Sequence, residues 1–330
     1  MNDGETRLNL GWWGRACGSL PPLQFIDTML RGIGQVMFQD NPLSGLFFLV
    51  AIGWGAYAAG VPEVAIGGLL AVVVATLTAL WLKVDKTALR AGLYGFNAFL
   101  VGIALPTFLS PSPLLWVYIV LGAALSVVVT LAASKVMQTW RVSALTAPFV
   151  MIAWLLMLSS NGFSGVEAGS LPSSGLIQPI DAAASSPLQP GDFVTGIWIS
   201  MSQVFVKGDS IAALLIVIGL AIGSFAAAGY ALLAALISVV VAHALGAESQ
   251  LITGGLVGFN PILTAIALGT VFYRPGLRSA LYALLATIVT VLVQGAFVAA
   301  MTPFAIPTLT ASFVLVTWLF LLAEPAALAD

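Results

Sequence analysis

Apolar residues run along this chain in long blocks that are separated by short polar breaks. A helix needs about 20 mostly apolar residues to cross a bilayer, and ten blocks approach that length. These blocks are 44–59, 64–83, 92–109, 113–135, 144–160, 210–228, 230–246, 254–272, 279–301 and 308–324. The pattern predicts an all-α polytopic membrane protein with ten transmembrane helices.

Two further apolar stretches, 25–39 and 192–206, are shorter and run directly into polar breaks. They predict two half-spanning re-entrant helices. A helix that ends inside the membrane leaves its last carbonyl groups without intrahelical partners, and lipid offers no donor to them. These oxygens must therefore be satisfied by neighbouring groups or by a wet path. If both helices end near the midplane, two sets of carbonyl acceptors face each other there.

The basic residues predict the orientation of the spans, because cytoplasmic loops carry an excess of Lys and Arg. With the N-terminus inside, ten of the eleven basic residues lie on or near the inner side. The outer loops 60–63, 110–112, 161–191, 247–253 and 302–307 contain no Lys or Arg, and Lys207 alone does not fit. Both termini are therefore predicted to be cytoplasmic.

The two halves of the chain are related in sequence. GLYGFNAFLVGIAL (92–105) and GLVGFNPILTAIAL (255–268) share nine of fourteen residues, at an offset of 163. ALTAPFVMIAWLLM (144–157) and TLTASFVLVTWLFL (308–321) share seven of fourteen, at an offset of 164. GQVMF (34–38) corresponds to SQVFV (202–206), at an offset of 168. Three matches in the same order indicate an internal duplication.

Each copy holds one short helix and five spans. Because five is odd, the second copy must enter the membrane from the opposite side, which predicts two inverted-topology repeats of five spans. Transport folds of this kind place the substrate path near the midplane, between the repeats. The predicted segments are an N-terminal cytoplasmic segment (1–24), a first repeat (25–160), an extracytoplasmic linker (161–191), a second repeat (192–324) and a cytoplasmic tail (325–330).

Composition narrows the function. The chain is 60% hydrophobic and 7% charged, which suits a lipid solvent, and it has no basic patch for nucleic acid. One cysteine and one histidine argue against a disulfide, a metal site or another cofactor. The span interiors contain no clear charged residue of the kind that ion-coupled carriers and proton relays usually need. The sequence therefore favours passive flow of a neutral solute.

Polar groups that recur in both copies are candidates for the lining of the path. Gln35 and Gln203 lie near the ends of the short helices and add side-chain oxygens to the carbonyls there. Thr146 and Thr310 are the polar centres of the two LTA words. For the glutamines, capping of neighbouring backbone is the alternative; for the threonines, it is a bond to their own helix.

The remaining candidates are two amides and a set of apolar neighbours. Asn97 and Asn260 lie in apolar words and must be hydrogen-bonded, either to the solute or as structural braces for the short helices. The apolar candidates are Val36, Phe38, Phe96, Leu100, Val204, Phe259 and Leu263. These could wall a narrow slot or simply pack the repeat interface. Acceptors in a row between flat apolar walls suit a flat, uncharged molecule that is rich in N–H donors.

At these words the sequence resembles the urea transporter family over essentially its whole length. The family's threonine motif is similar to L-P-x-x-T-x-P-F. The first copy, VSALTAPF (142–149), lacks the early proline, and the second, IPTLTASF (306–313), has Ser312 in place of the later one. The resemblance rests on these words together with GLYGFN, GLVGFN and the two Gln-Val pairs.

The resemblance implies a homotrimer in a bacterial inner membrane, with a separate urea pore in every protomer. It implies channel-like flow of urea between phenylalanine and aliphatic side chains, beside two facing ladders of oxygens. Carried over by position, Gln35, Thr146, Gln203 and Thr310 would be the ladder or gate groups.

Three other functions remain as alternatives. A channel for another small neutral solute, such as a short amide, ammonia or water, would use similar groups. A coupled carrier is disfavoured by the lack of membrane carboxylates. An intramembrane enzyme would need clustered catalytic side chains in the spans, and the sequence shows none, so we do not expect an enzyme.

Overall fold

A computed structural model describes residues 11–163, 165–177, 187–205, 208–323 and 325, without the side chains of residues 11 and 12. Lys207, the basic residue that the predicted topology does not place, lies outside the described residues. The helices are α1 (Gly11–Ser19), α2 (Pro21–Gln35), α3 (Pro42–Ala58), α4 (Glu63–Trp81), α5 (Lys86–Arg90), α6 (Phe96–Phe108), α7 (Pro113–Gln138), α8 (Ala147–Ser159), α9 (Pro190–Gln203), α10 (Ser210–Gly223), α11 (Phe225–Ala244), α12 (Ser249–Thr253), α13 (Phe259–Ile266), α14 (Leu277–Met301) and α15 (Ala311–Leu322).

The apolar blocks form helices of two lengths. Four helical segments, Glu63–Trp81, Pro113–Gln138, Phe225–Ala244 and Leu277–Phe304, are long and apolar enough to cross a membrane. Six shorter apolar helices are Pro42–Ala58, Phe96–Phe108, Ala147–Ser159, Ser210–Gly223, Phe259–Val271 and Ala311–Leu322. The last turns of the Phe259–Val271 segment, Ala267–Val271, are π-helical. Within the described residues the fold is therefore all-helical, and its apolar helices are of the kind that integral membrane proteins contain.

The polar breaks after the two short helices are helix-capping signals. The side chain of Asn41 accepts hydrogen bonds from the backbone N–H groups of Leu43 and Ser44 at the start of α3. Asp209 does the same for Ile211 and Ala212 at the start of α10. Because such caps satisfy donors that a helix start leaves free, each break begins the next helix.

One predicted boundary was wrong. The sequence pattern placed the break between two spans near residue 229, whereas α10 ends at Gly223 and α11 begins at Phe225. Ser224 between them is extended, and its hydroxyl accepts a hydrogen bond from the N–H of Ala227. One serine in a continuous apolar run barely changes the mean hydropathy of that run, so the apolar pattern did not reveal this N-cap.

The glycines that open GLYGFN and GLVGFN lie where two helices nearly touch. Gly92 has φ +76° and Gly255 has φ +70°, values that favour glycine. A Cβ on Gly92 would lie 2.2 Å from the backbone nitrogen of Gly32 in α2, and one on Gly255 would lie 2.5 Å from that of Ser200 in α9. Each of these two motifs thus begins with a turn that packs closely against a short helix.

Equivalent helices of the two halves meet at the centre of the molecule. Helix α3 packs along α10, its counterpart at an offset of 168, and α8 contacts α15, its counterpart at an offset of 164. The rings of Phe48 on α3 and Phe205 at the end of α9 lie 5.4 Å apart between centroids. The main hydrophobic core runs through both halves without interruption.

Candidate functional site

Two threonines, one from each half, touch at the centre of the molecule. Thr146 is the N-cap residue of α8 and Thr310 is that of α15. Their hydroxyl oxygens lie 2.7 Å apart and share a hydrogen bond. The side chains are 3% and 4% exposed. We call these two residues the threonine pair.

The turns that carry the threonine pair are strained in the same way. Leu145 and Leu309, which directly precede the threonines, have φ values of +52° and +51°. A leucine in the left-handed region is unfavourable and persists only where its surroundings enforce it. The bonds that hold these two turns therefore also position the threonine hydroxyls.

Two tryptophans hold the turns reciprocally. The indole Nε1 of Trp154 on α8 donates to the carbonyl oxygen of Pro307 in the second half, at 2.8 Å. Trp318 on α15 donates to the carbonyl oxygen of Ser143 in the first half, also at 2.8 Å. Donor and acceptor are each shifted by 164 residues between the two bonds. Such reciprocity is characteristic of units related by a two-fold axis.

Two asparagines form hydrogen bonds to the same two turns. Nδ2 of Asn97 donates to the carbonyl oxygen of Leu145 at 3.4 Å, and Nδ2 of Asn260 donates to that of Leu309 at 3.0 Å. Oδ1 of Asn97 also accepts from the backbone N–H of Phe149 at 3.2 Å. Both amides are fully buried. This geometry favours the role of a structural brace over solute contact.

The two glutamines at the ends of the short helices are anchored identically. Nε2 of Gln35 donates to the carbonyl oxygen of Ala91 at 2.9 Å, and Nε2 of Gln203 donates to that of Gly254 at 2.8 Å. A carbonyl oxygen can only accept, so the NH2 group of each amide must face it. Each glutamine therefore presents its oxygen on the other side, and both side chains are partly exposed.

The last carbonyls of the first short helix are satisfied by neighbouring backbone groups, which is one of the two alternatives that the sequence left open. The carbonyl oxygens of Ile33, Gly34 and Gln35 accept hydrogen bonds from the N–H groups of Val36, Met37 and Phe38 in a tightened terminal turn. A tightened last turn is one way in which a helix satisfies its terminal acceptors. Each of these oxygens keeps a second lone pair for a further donor.

A cavity of about 650 Å³ adjoins the threonine pair. Leu100 and Phe149 of the first half line it, together with residues of the second half that include Gln203, Val204 and Thr310. Pro172 and residues 247, 251, 302, 306 and 307 also line it, and all of these belong to loops that the charge pattern predicts to be extracytoplasmic. Within the described residues, no titratable side chain lines this cavity.

The predicted site residues fall into three groups. Leu100, Gln203, Val204, Phe259 and Thr310 line the cavity. Gln35, Phe38 and Phe96 are half-buried outside it, and Val36, Asn97, Thr146, Asn260 and Leu263 are buried. The ring of Phe38 is held edge-on against those of Phe272 and Phe313, with centroids 6.2 and 6.1 Å away.

One polar cluster escaped the analysis of the sequence. Oε1 of Gln294 on α14 accepts from Nδ2 of Asn260 at 2.6 Å and from the hydroxyl of Ser312, while its Nε2 donates to the hydroxyl of Thr308 at 3.1 Å. In the first half Thr130 takes the position of Gln294 and contacts Asn97 at 3.3 Å. The sequence did contain a signal for this cluster. Gln294 is a glutamine within a predicted span, at the position that corresponds to Thr130 in the first copy.

The two copies also differ at the asparagine oxygen. Oδ1 of Asn97 has the N–H of Phe149 as a donor, whereas the buried Oδ1 of Asn260 has no hydrogen-bond partner within the described residues. In the second half, the cluster around Gln294 provides additional hydrogen bonds near this turn. The threonine pair is thus supported by two unequal frameworks.

Apolar helices of membrane-spanning length and a cavity whose described lining carries no titratable side chain are typical of an integral membrane transport protein. A family model described as "Urea transporter" matches residues 26–325 of the chain. Proteins named "Urea transporter 1" from Mus musculus and Rattus norvegicus are 31% identical over 306 residues, which are 91% of this chain and 77% of each relative. The Ovis aries protein of that name is 29% identical over the same shares. The chain belongs to the urea transporter family.

Proposed function

We propose that the protein conducts urea passively, as a channel, along a path between its two halves that passes the threonine pair. The observation that carries the proposal is the 2.7 Å contact between Thr146 and Thr310, two equivalent residues that meet beside the cavity. Family membership supports urea as the solute. The path would involve no catalytic step and no cofactor.

The lining chemistry suits urea. Urea is planar and uncharged and carries four N–H donors, which match the oxygens of Gln35, Gln203 and the threonine pair. The neighbouring walls are apolar, with Leu100, Val204 and Phe259 at the cavity. Acceptors in succession allow each lost water bond to be replaced as the molecule advances, so that no position holds it too tightly.

The threonine pair is a weak barrier in this scheme. A neutral hydrogen bond contributes only about 0.5–1.5 kcal/mol net. The two hydroxyls can therefore separate and accept from the N–H groups of a passing urea at little cost. Both threonines are buried, whereas Gln35 and Gln203 are half-buried.

We propose that the membrane arrangement is ten transmembrane helices and two half-spanning re-entrant helices, α2 and α9, in two inverted repeats. The reciprocal bonds of Trp154 and Trp318 support a two-fold relation between the halves. The Lys and Arg distribution supports cytoplasmic termini, and a bacterial inner membrane is proposed from the family resemblance alone. The membrane-plane axis follows from an odd number of spans per repeat.

A homotrimer with one path per protomer is proposed from the family resemblance. In this proposal each protomer contributes both halves of its own path, as the family resemblance implies. Light scattering of the purified protein in detergent should give three times the chain mass after correction for detergent. A stable monomer that still conducts urea would contradict the trimer and leave the proposed path intact.

The direct test of the function is urea flux into sealed vesicles. Vesicles containing the protein should take up labelled urea faster than empty vesicles, with weak saturation and no response to proton or sodium gradients. Uptake against a urea gradient that depends on an imposed ion gradient would contradict a passive channel. Faster passage of acetamide or water than of urea would favour the alternative, a channel for other small neutral solutes.

A further inference from the structure

A hydroxyl on the cavity wall has no counterpart in the first half. Thr308 lies two residues before Thr310 and lines the cavity together with Gln203 and Val204. It is 8% exposed, so its polar atom is largely withdrawn from bulk water. The residue 164 positions earlier is Ala144, which carries no polar side chain.

Gln294 fixes the direction in which this hydroxyl can donate. Nε2 of Gln294 donates to the hydroxyl oxygen of Thr308 at 3.1 Å. The amide cannot be reversed, because its Oε1 already receives hydrogen bonds from Asn260 and Ser312. The Thr308 oxygen is therefore the acceptor in this contact, and its hydrogen must point elsewhere.

The hydrogen of Thr308 needs an acceptor outside the protein framework. Among the described residues, no group accepts a hydrogen bond from this hydroxyl. A buried donor without a partner is costly, so an acceptor in the adjoining cavity satisfies it. The oxygens proposed above serve the N–H groups of urea, whereas a donor would serve its carbonyl oxygen.

We propose that Thr308 donates its hydroxyl hydrogen to the carbonyl oxygen of urea in the cavity beside the threonine pair, and that Gln294 is the positioning residue for this bond. The inference rests on the proposed function and deepens it, since it gives urea an orientation as it enters from the side of the cavity. It also makes the two halves of the path unequal, because Ala144 offers no donor.

Thiourea distinguishes this role from a structural one. Its sulfur is a much weaker hydrogen-bond acceptor than the urea oxygen, while its N–H groups are equivalent. Thr308→Val should therefore lower urea flux about fivefold and thiourea flux much less, so that the ratio of urea to thiourea flux falls. Thr308→Ser keeps the hydroxyl and should retain the wild-type ratio.

Two further variants complete the test. Thr308→Ala, which reproduces the residue of the first half, should lower the ratio as Thr308→Val does and covers the case in which valine disturbs folding. Gln294→Met should also lower it, because the Thr308 hydroxyl can then turn to other partners. Thr76→Val is the matched control, since Thr76 is buried in α4 and bonds the carbonyl oxygen of Val72; it should leave the ratio unchanged.

The possible results separate this inference from the proposed function. A wild-type flux ratio in folded Thr308→Val and Thr308→Ala would overturn the role of Thr308 and leave passive urea conduction standing. An equal loss of urea and thiourea flux in Gln294→Met would overturn its positioning role. Wild-type protein that passes urea no faster than empty vesicles would overturn the proposed function, and this inference with it.

Discussion

The hydroxyl oxygens of Thr146 and Thr310 lie 2.7 Å apart, although the two residues are separated by 164 positions in the chain. Each begins an apolar helix, each follows a leucine with positive φ, and each turn is held by a tryptophan of the other half. Equivalent residues of the two halves thus meet in one contact. The proposed path between the halves passes close to these hydroxyls.

Removal of either hydroxyl of the threonine pair should slow urea. Thr146→Val and Thr310→Val keep the shape but lose an acceptor for the passing N–H groups. Since one neutral hydrogen bond contributes about 1 kcal/mol, we expect urea flux in vesicles to fall about fivefold in each variant. Leucine at either position should reduce it further by filling the slot.

Thr287→Val is the matched control for the threonine pair. Thr287 is also buried in a span, but its hydroxyl bonds the carbonyl oxygen of Ala283 in its own helix. This control should conduct urea at the wild-type rate. Unchanged flux in both Thr146→Leu and Thr310→Leu, with folded protein, would remove the pair from the path.

Both tryptophan bonds should contribute to stability, the part-buried bond of Trp154 more than the exposed bond of Trp318. Trp154→Phe removes the indole donor to the carbonyl of Pro307 and should cost about 1–2 kcal/mol of the free energy of unfolding, and Trp318→Phe should cost about 0.5–1 kcal/mol. Thermal unfolding in detergent would measure this. Trp81→Phe is the control, because Trp81 is 80% exposed. A large effect in one tryptophan variant and none in the other would speak against the reciprocal arrangement.

The first glycines of the repeated words should tolerate no side chain. Gly92→Ala and Gly255→Ala introduce a Cβ at positive φ and against backbone nitrogens 2.2 and 2.5 Å away. Each should destabilise the protein by more than about 2 kcal/mol. Gly53→Ala is the control, because a Cβ there meets nothing within 4 Å and alanine favours a helix by up to about 1 kcal/mol.

Thermal unfolding of these three variants decides the point. The expected order of melting temperature places Gly53→Ala at or above wild type and both repeat variants well below it. If Gly92→Ala melts with the wild type, the close approach of its turn to α2 is not a constraint on the fold.

Urea flux should be nearly independent of pH. The described residues that line the cavity include no Asp, Glu, His, Lys or Arg, so nothing there changes charge between about pH 5.5 and 8.5. Stopped-flow uptake at several pH values, with matched pH on both sides of the vesicle, would test this. A sigmoidal dependence with a midpoint in that range would require a titrating group on the path that the described lining lacks.

Much of the architecture follows from the apolar pattern, because a membrane helix is specified by a long run of apolar residues. Repetition then identified Thr146 with Thr310 and Gln35 with Gln203 as equivalent pairs. What repetition could not show is where the copies differ. Gln294 and Thr308 have no identical counterpart in the first half, so a search for residues shared by the two halves does not find them.

The hydropathy of the sequence also does not reveal helix caps or contacts between distant residues. Ser224 interrupts a helix through one hydrogen bond, a signal too local to alter an apolar average. The direct bond between Thr146 and Thr310 depends on how two turns pack in space, and no spacing in the chain encodes that distance. The role of Asn97 and Asn260 likewise became interpretable only once their partners, Leu145 and Leu309, were known.

The most direct test of the central claim is a reversible block at the threonine pair. Thr146→Cys and Thr310→Cys, combined with Cys17→Ser, place two thiols where the hydroxyls now touch, and cadmium ions bridge such pairs. Cadmium should stop urea flux in the double variant, and EDTA should restore it, while each single variant responds weakly. Urea flux that continues at its full rate while cadmium is bound to both thiols would contradict a path between the two halves.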